Sequence, residues 1–172
     1  MNFINNTIIQ NTFKQKTLKK KIFFSGVGVH NGRAVSMSIE PADVNTGIVF
    51  RRIDIEYNND IQALIQNIDT SNLCTKIKNN FGASVSTIEH LMASFNALSI
   101  DNAIVKLNAS ELPALDGSSS DYTKKIIKSG IKTQNQNRKY LKILRKVEVN
   151  DGKRFISISP SSQLSINIRI NY

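Results

Sequence analysis

S-V-S-T-I-E-H-L-M-A-S-F-N-A-L-S, residues 84–99, is the stretch on which the fold turns. Ser86 followed three residues later by Glu89 reads as a capping box, so a helix is expected to start here. Ile88, Leu91, Met92, Phe95 and Leu98 recur at helical spacing and form one apolar stripe. Glu89 and His90 fall well off the centre of that stripe. Ala93, Ser94 and Ala97 line the side away from it, small enough for a second layer to pack closely. Two roles are open to the polar pair. In one, Glu89 caps a core helix and His90 is solvated. In the other, a Glu and a His side by side at a helix start serve as general base and metal ligand.

Toward the N-terminus, residues 16–25 look like a strand, broken by G-V-G-V-H-N-G at residues 26–32. Three glycines in seven residues permit positive φ and a tight reversal. The loop is either a plain hairpin or one that brings its backbone and His30 up to a ligand. It is not G-x-G-x-x-G, since Gly32 comes one residue late and no helix follows, so a dinucleotide site is excluded. Residues 34–40 alternate, with Val35, Met37 and Ile39 on one face, and residues 48–53 form another strand after the Asn45-Thr46-Gly47 turn. Residues 55–78 are expected to hold short strands and a loop through Leu73, Cys74 and Thr75. Cys74 is either a small buried hydrophobe or a residue lining a site.

Beyond the helix, residues 101–108 read as a strand with Ala103, Val105 and Leu107 inward. Glu111 and Asp116 sit in a turn-rich bridge, where loop hydrogen bonding is their default role. Ser119 or Ser120 is expected to cap a second helix closed by Gly130. The run K-T-Q-N-Q-N-R-K, residues 132–139, carries no apolar side chain and reads as a linker. Residues 140–149, 154–159 and 164–170 are then expected to be three strands without a helix to cover them.

A chain of 172 residues, 40% hydrophobic, can bury one good core. Its net charge of +10 invites nucleic acid, but the lysines are spread along the chain apart from Lys14, Lys16, Lys19, Lys20 and Lys21. That cluster reads as a solvated edge strand, and no nucleic-acid partner is expected. Cys74 is the single cysteine, which excludes an internal disulfide and a cysteine-rich zinc site and suits a reducing, cytoplasmic compartment. Residues 1–13 are Asn-rich and are expected to be a frayed tail, neither signal peptide nor membrane span.

Several of these segments, in one order, resemble a known family. K-Q-K-T-L-K-K from Lys14, G-V-G-V-H-N-G from Gly26, N-T-G-I-V-F-R-R from Asn45, L-C-T from Leu73, S-T-I-E-H-L from Ser86, D-N at Asp101 and L-D-G-S from Leu115 are similar to the N-terminal half of the zinc-dependent UDP-3-O-acyl-N-acetylglucosamine deacetylases of lipid A synthesis. The resemblance implies an α+β fold of two similar domains, each a sheet with two helices, joined helix layer to helix layer. Here that means a two-layer first domain over residues 14–131, a linker at 132–139, and the first strands of a second similar domain at 140–172. It also implies that Glu89 is the general base, that His90 is one Zn2+ ligand, and that His30, Leu73 and Cys74 border the substrate, UDP-3-O-acyl-N-acetylglucosamine. The family's other zinc ligands lie in an H-K-x-x-D segment of the second domain. This sequence has two histidines, His30 and His90, and no such segment. The chain alone is therefore expected to hold an incomplete zinc site and to have little activity, unless a separate C-terminal half supplies the rest. The rival expectations are a non-catalytic fragment that binds a partner through its helix layer, and a basic nucleic-acid-binding domain.

Overall fold

A computed structural model of the chain describes residues 13–152 and 154–170. They divide into two units, one ending at Arg138 and the other beginning at Lys139. The expected tail lies outside the described residues except for Phe13.

The first unit is built on alternation. In β2 (Ile22–Val27), β3 (Ala34–Pro41), β4 (Ile48–Arg52), β5 (Asp60–Gln62) and β9 (Ala103–Leu107), inward residues are apolar and join a five-stranded sheet in the order β2-β3-β9-β4-β5. Neighbours are antiparallel except β4 and β9, which run parallel. The register sets Met37 opposite Leu107 and Ile39 opposite Val105, and Phe50 opposite Val105 across the parallel pair. These pairs lie on one face, as the period of two requires, and all are buried.

Two helices cover that face, α1 (Glu89–Ala97) and α2 (Ser120–Ser129). Leu91 and Phe95 of α1 and Tyr122 and Ile126 of α2 join Val35, Met37, Ile39, Val105 and Leu107 in one core. The Phe24 and Tyr122 rings meet at 5.0 Å, and the Tyr122 hydroxyl donates to the Pro113 carbonyl at 2.7 Å, so the buried phenol is satisfied. At the end of α2, Gly130 takes φ +81 and donates its N–H to Ile127, as the expected C-cap does. The fold is α+β, a sheet under two helices. A three-stranded sheet of β6 (Ile68–Asp69), β7 (Lys76–Lys78) and β8 (Ser84–Ser86) runs straight into α1.

The expected linker is not one. Residues Ile131–Asn137 form β10, antiparallel to β1 (Lys14–Leu18). Its polar side chains have addresses. Gln134 donates to the Ala42 carbonyl at 2.8 Å and accepts from Asn102 Nδ2 at 2.8 Å, and Arg138 pairs with Asp101 at 2.7 Å. A strand fixed by side-chain hydrogen bonds needs no apolar period, which is why the sequence hid it.

In the second unit, β11 (Val147–Asn150) and β12 (Phe155–Ile158) pair antiparallel, with Val147 opposite Ile158 and Asn150 opposite Phe155. The third expected strand, 164–170, is not in strand conformation. Phe155, Ile156, Leu164 and Ile168 are exposed. A lone hairpin has no buried face to recruit a further strand.

Candidate functional site

The start of α1 differs from the expected capping box, and the difference builds the site. Ser86 is the last residue of β8, and both of its backbone groups are used in pairing. Its N–H donates to the Ser110 carbonyl at 2.9 Å, and its carbonyl accepts from Leu112 at 3.2 Å. The strand therefore claims the residue expected to cap the helix. Thr87 follows at φ +59, a left-handed conformation rare for a β-branched residue, and turns the chain into α1. The N-cap is Ile88, with no side-chain cap.

Glu89 is freed from capping. Its Oε2 accepts the Thr75 N–H at 3.0 Å, while the Thr75 carbonyl accepts the Ile88 N–H at 3.4 Å. This reciprocal pair ties the loop of Leu73 and Cys74 to the helix start, so four of the expected site residues, Leu73, Cys74, Glu89 and His90, lie on segments that meet there. Leu73 is 95% exposed at φ +61. Cys74 is a free, half-buried thiol whose carbonyl accepts the Ser71 hydroxyl. Glu89 and His90 are both half-buried on the first turn of α1.

The face of α1 is not divided quite as expected. Ala93 and Ala97 are exposed, but Ser94 is fully buried. Its single hydroxyl proton is shared between the His90 and Ser119 carbonyls, and its oxygen accepts from Thr123, at 3.0 to 3.1 Å. Ser94 thus joins α1 to α2 within one layer and does not face outward.

His30 reaches the same helix end through Glu111, whose expected role is loop hydrogen bonding, although no spacing in the sequence pairs it with His30. Glu111, its side chain 1% exposed, accepts the His30 and Asn31 N–H groups at 3.0 Å and the Thr87 hydroxyl at 3.0 Å, and lies 2.8 Å from His30 Nδ1. Burial alone would raise its pKa. The donated bonds of His30, Asn31 and Thr87 outweigh that and hold it below the usual carboxylate range. Gly28 is the sequence's one trace of this contact, because a Cβ there would stand 2.5 Å from Glu111 Oε2. The loop glycine serves the approach of a buried carboxylate. Asp116 keeps the expected local role, accepting the Ser118 N–H and hydroxyl at 3.0 Å.

A catalytic zinc site commonly takes three protein ligands. Among the described residues no three His, Cys, Asp or Glu side chains come together to hold a metal. His90 and Glu89 do not make such a site by themselves. No helix among the described residues is long and apolar enough to cross a membrane.

A family model described as UDP-3-O-acyl N-acetylglycosamine deacetylase matches residues 15–172. Similar proteins named UDP-3-O-acyl-N-acetylglucosamine deacetylase occur in Pseudoalteromonas atlantica, 38% identical over 92% of this chain and 52% of the relative. One in Shewanella oneidensis is 40% identical over 92% of this chain and 52% of its own length. One in Francisella tularensis is 41% identical over 92% of this chain and 56% of its own. The chain spans about half the length of the curated relatives it matches.

Proposed function

The chain belongs to the UDP-3-O-acyl N-acetylglycosamine deacetylase family, and from that premise we propose that it serves the hydrolysis of the N-acetyl group of UDP-3-O-acyl-N-acetylglucosamine in lipid A synthesis. The observation that carries the proposal is the Glu89 carboxylate, held at 3.0 Å by the Thr75 N–H on the first turn of α1 and half-exposed beside His90. A carboxylate released from capping, but fixed by a backbone donor, can act as a general base.

In the proposed reaction a water attacks the acetamide carbonyl carbon and Glu89 takes its proton. The tetrahedral intermediate collapses, the C–N bond breaks, and the proton passes to the leaving amine as acetate is released. His30, Leu73 and Cys74 are the proposed substrate-bordering residues, supported by the attachment of both of their loops near the α1 start. The cofactor implied is zinc, with His90 as one ligand. Because the described residues do not complete its site, a three-ligand zinc here would draw its other ligands from a C-terminal half, whether continuous or separate. The exposed Ala93 and Ala97 of α1 and the exposed Ile127 of α2 support a helix layer that such a half would cover. The unpaired Cys74 agrees with a reducing compartment, and we place the chain in the cytoplasm.

The test mixes this chain with the C-terminal half of the Francisella tularensis relative, made separately, with zinc added. Acetate release from UDP-3-O-acyl-N-acetylglucosamine is expected from the mixture and from neither half alone. Glu89→Ala should lower the rate by roughly 10²- to 10⁴-fold while the halves still associate. Association without product would leave a binding module. Full activity in Glu89→Ala would remove Glu89 from the role of base.

A further inference from the structure

Glu111 is a buried carboxylate that the chemistry proposed above leaves without a part. Burying such a charge is costly unless it is fully hydrogen-bonded, and a loop held for shape alone is more cheaply filled by an apolar side chain. Glu111 instead gathers donors from the glycine loop and from the residue that starts the Glu89 turn. Two consequences follow from the geometry.

The first concerns His30. Its backbone N–H and its ring both bond to one carboxylate, at 3.0 and 2.8 Å. A carboxylate only accepts, so Nδ1 carries the proton and Nε2 is the nitrogen left for a ligand, on a side chain 41% exposed. The second concerns Thr87. Its left-handed backbone is unfavourable for a β-branched side chain, and its hydroxyl is fastened to Glu111 at 3.0 Å and lies 3.4 Å from His30 Nδ1. Glu89 stands two residues further on. The missing Cβ of Gly28 leaves the room in which these groups converge.

We infer that Glu111 is a positioning residue for the deacetylation, fixing the exposed His30 imidazole with Nε2 open to the substrate and anchoring the strained Thr87 from which the Glu89 helix departs. It sets a substrate-facing ring and the general base from one buried anchor. This rests on the deacetylase role proposed above.

Two measurements test it. In the 15N-labelled chain at pH about 8.5, above the ordinary histidine range, the His30 ring should be the Nδ1–H tautomer, read from its nitrogen shifts. Observation of the Nε2–H tautomer would overturn the inference without any variant being made. In the two-chain mixture, Glu111→Gln should lower kcat/KM by about tenfold to a hundredfold with the amide spectrum of the core retained. The same substitution placed on a His30→Ala background should cost clearly less than it does in the parent, because part of its effect passes through the ring. Equal losses in the two backgrounds would make Glu111 merely structural and overturn the inference. A parent mixture with no activity would sink the deacetylase role, and the tautomer would still decide the anchor.

Discussion

Glu111 and Gly28 show how much one atom decides at the scale of a residue. An alanine at 28 would put its Cβ 2.5 Å from both Asn31 Oδ1 and Glu111 Oε2, so the loop or the carboxylate would have to move. Gly28→Ala is expected to destabilise the chain by about 1–3 kcal/mol, read as a lowered denaturant midpoint; an unchanged midpoint would mean that the loop yields freely. Glu111 also gives the first unit an acid dependence. Its pKa is lower in the fold than in the unfolded chain, so its stabilisation is fully present above the ordinary carboxylate value and is lost as pH falls through the folded value. The melting temperature should therefore drop between pH about 5 and 3. Glu111→Gln should start lower at neutral pH and fall less steeply over that window. Parallel curves for the two proteins would exclude Glu111 as the source.

At the scale of an element, the informative segments are β10 and the start of α1. In both, hydrogen bonds to distant partners replace the local signal. Gln134 spans from Asn102 to the Ala42 carbonyl, and Gln134→Ala should cost about 1–3 kcal/mol by leaving a buried amide and a carbonyl short of partners. Trypsin offers a second check. Lys132 lies opposite Thr17 in a paired strand and should resist, whereas Lys142, Arg145 and Lys146 lie outside strands and should be cut early. First cleavage at Lys132 would contradict the pairing of β1 with β10. Ser86 offers the parallel lesson, since pairing with Ser110 and Leu112 took the residue that a capping box needed.

At the scale of the whole molecule, the core is drawn from residues between Leu18 and Ile126, with Ile131 packed at its edge. Every residue of that core belongs to the first unit, and among the described residues of the second unit Leu141, Leu144, Phe155 and Leu164 are exposed. Removing residues 139–172 is expected to leave the melting temperature of the first unit within a few degrees of the parent, about the shift of 1 kcal/mol in a domain of this size. A loss of cooperative melting would mean that the first unit depends on the second.

The sequence by itself determined the α+β class, the inward faces of β3 and β9, the apolar stripe of α1, the glycine that closes α2 and the family. Each is written in a local period or in a run of neighbouring residues, which is the information a chain carries without folding. Tertiary structure alone decided that Ser86 is strand, that Ser94 faces α2, that β10 exists, and that Glu111 joins His30 to Thr87. These depend on groups 24 to 123 positions apart meeting in space. A buried polar group is satisfied by whichever partner the fold delivers, and no spacing along the chain announces which one that will be.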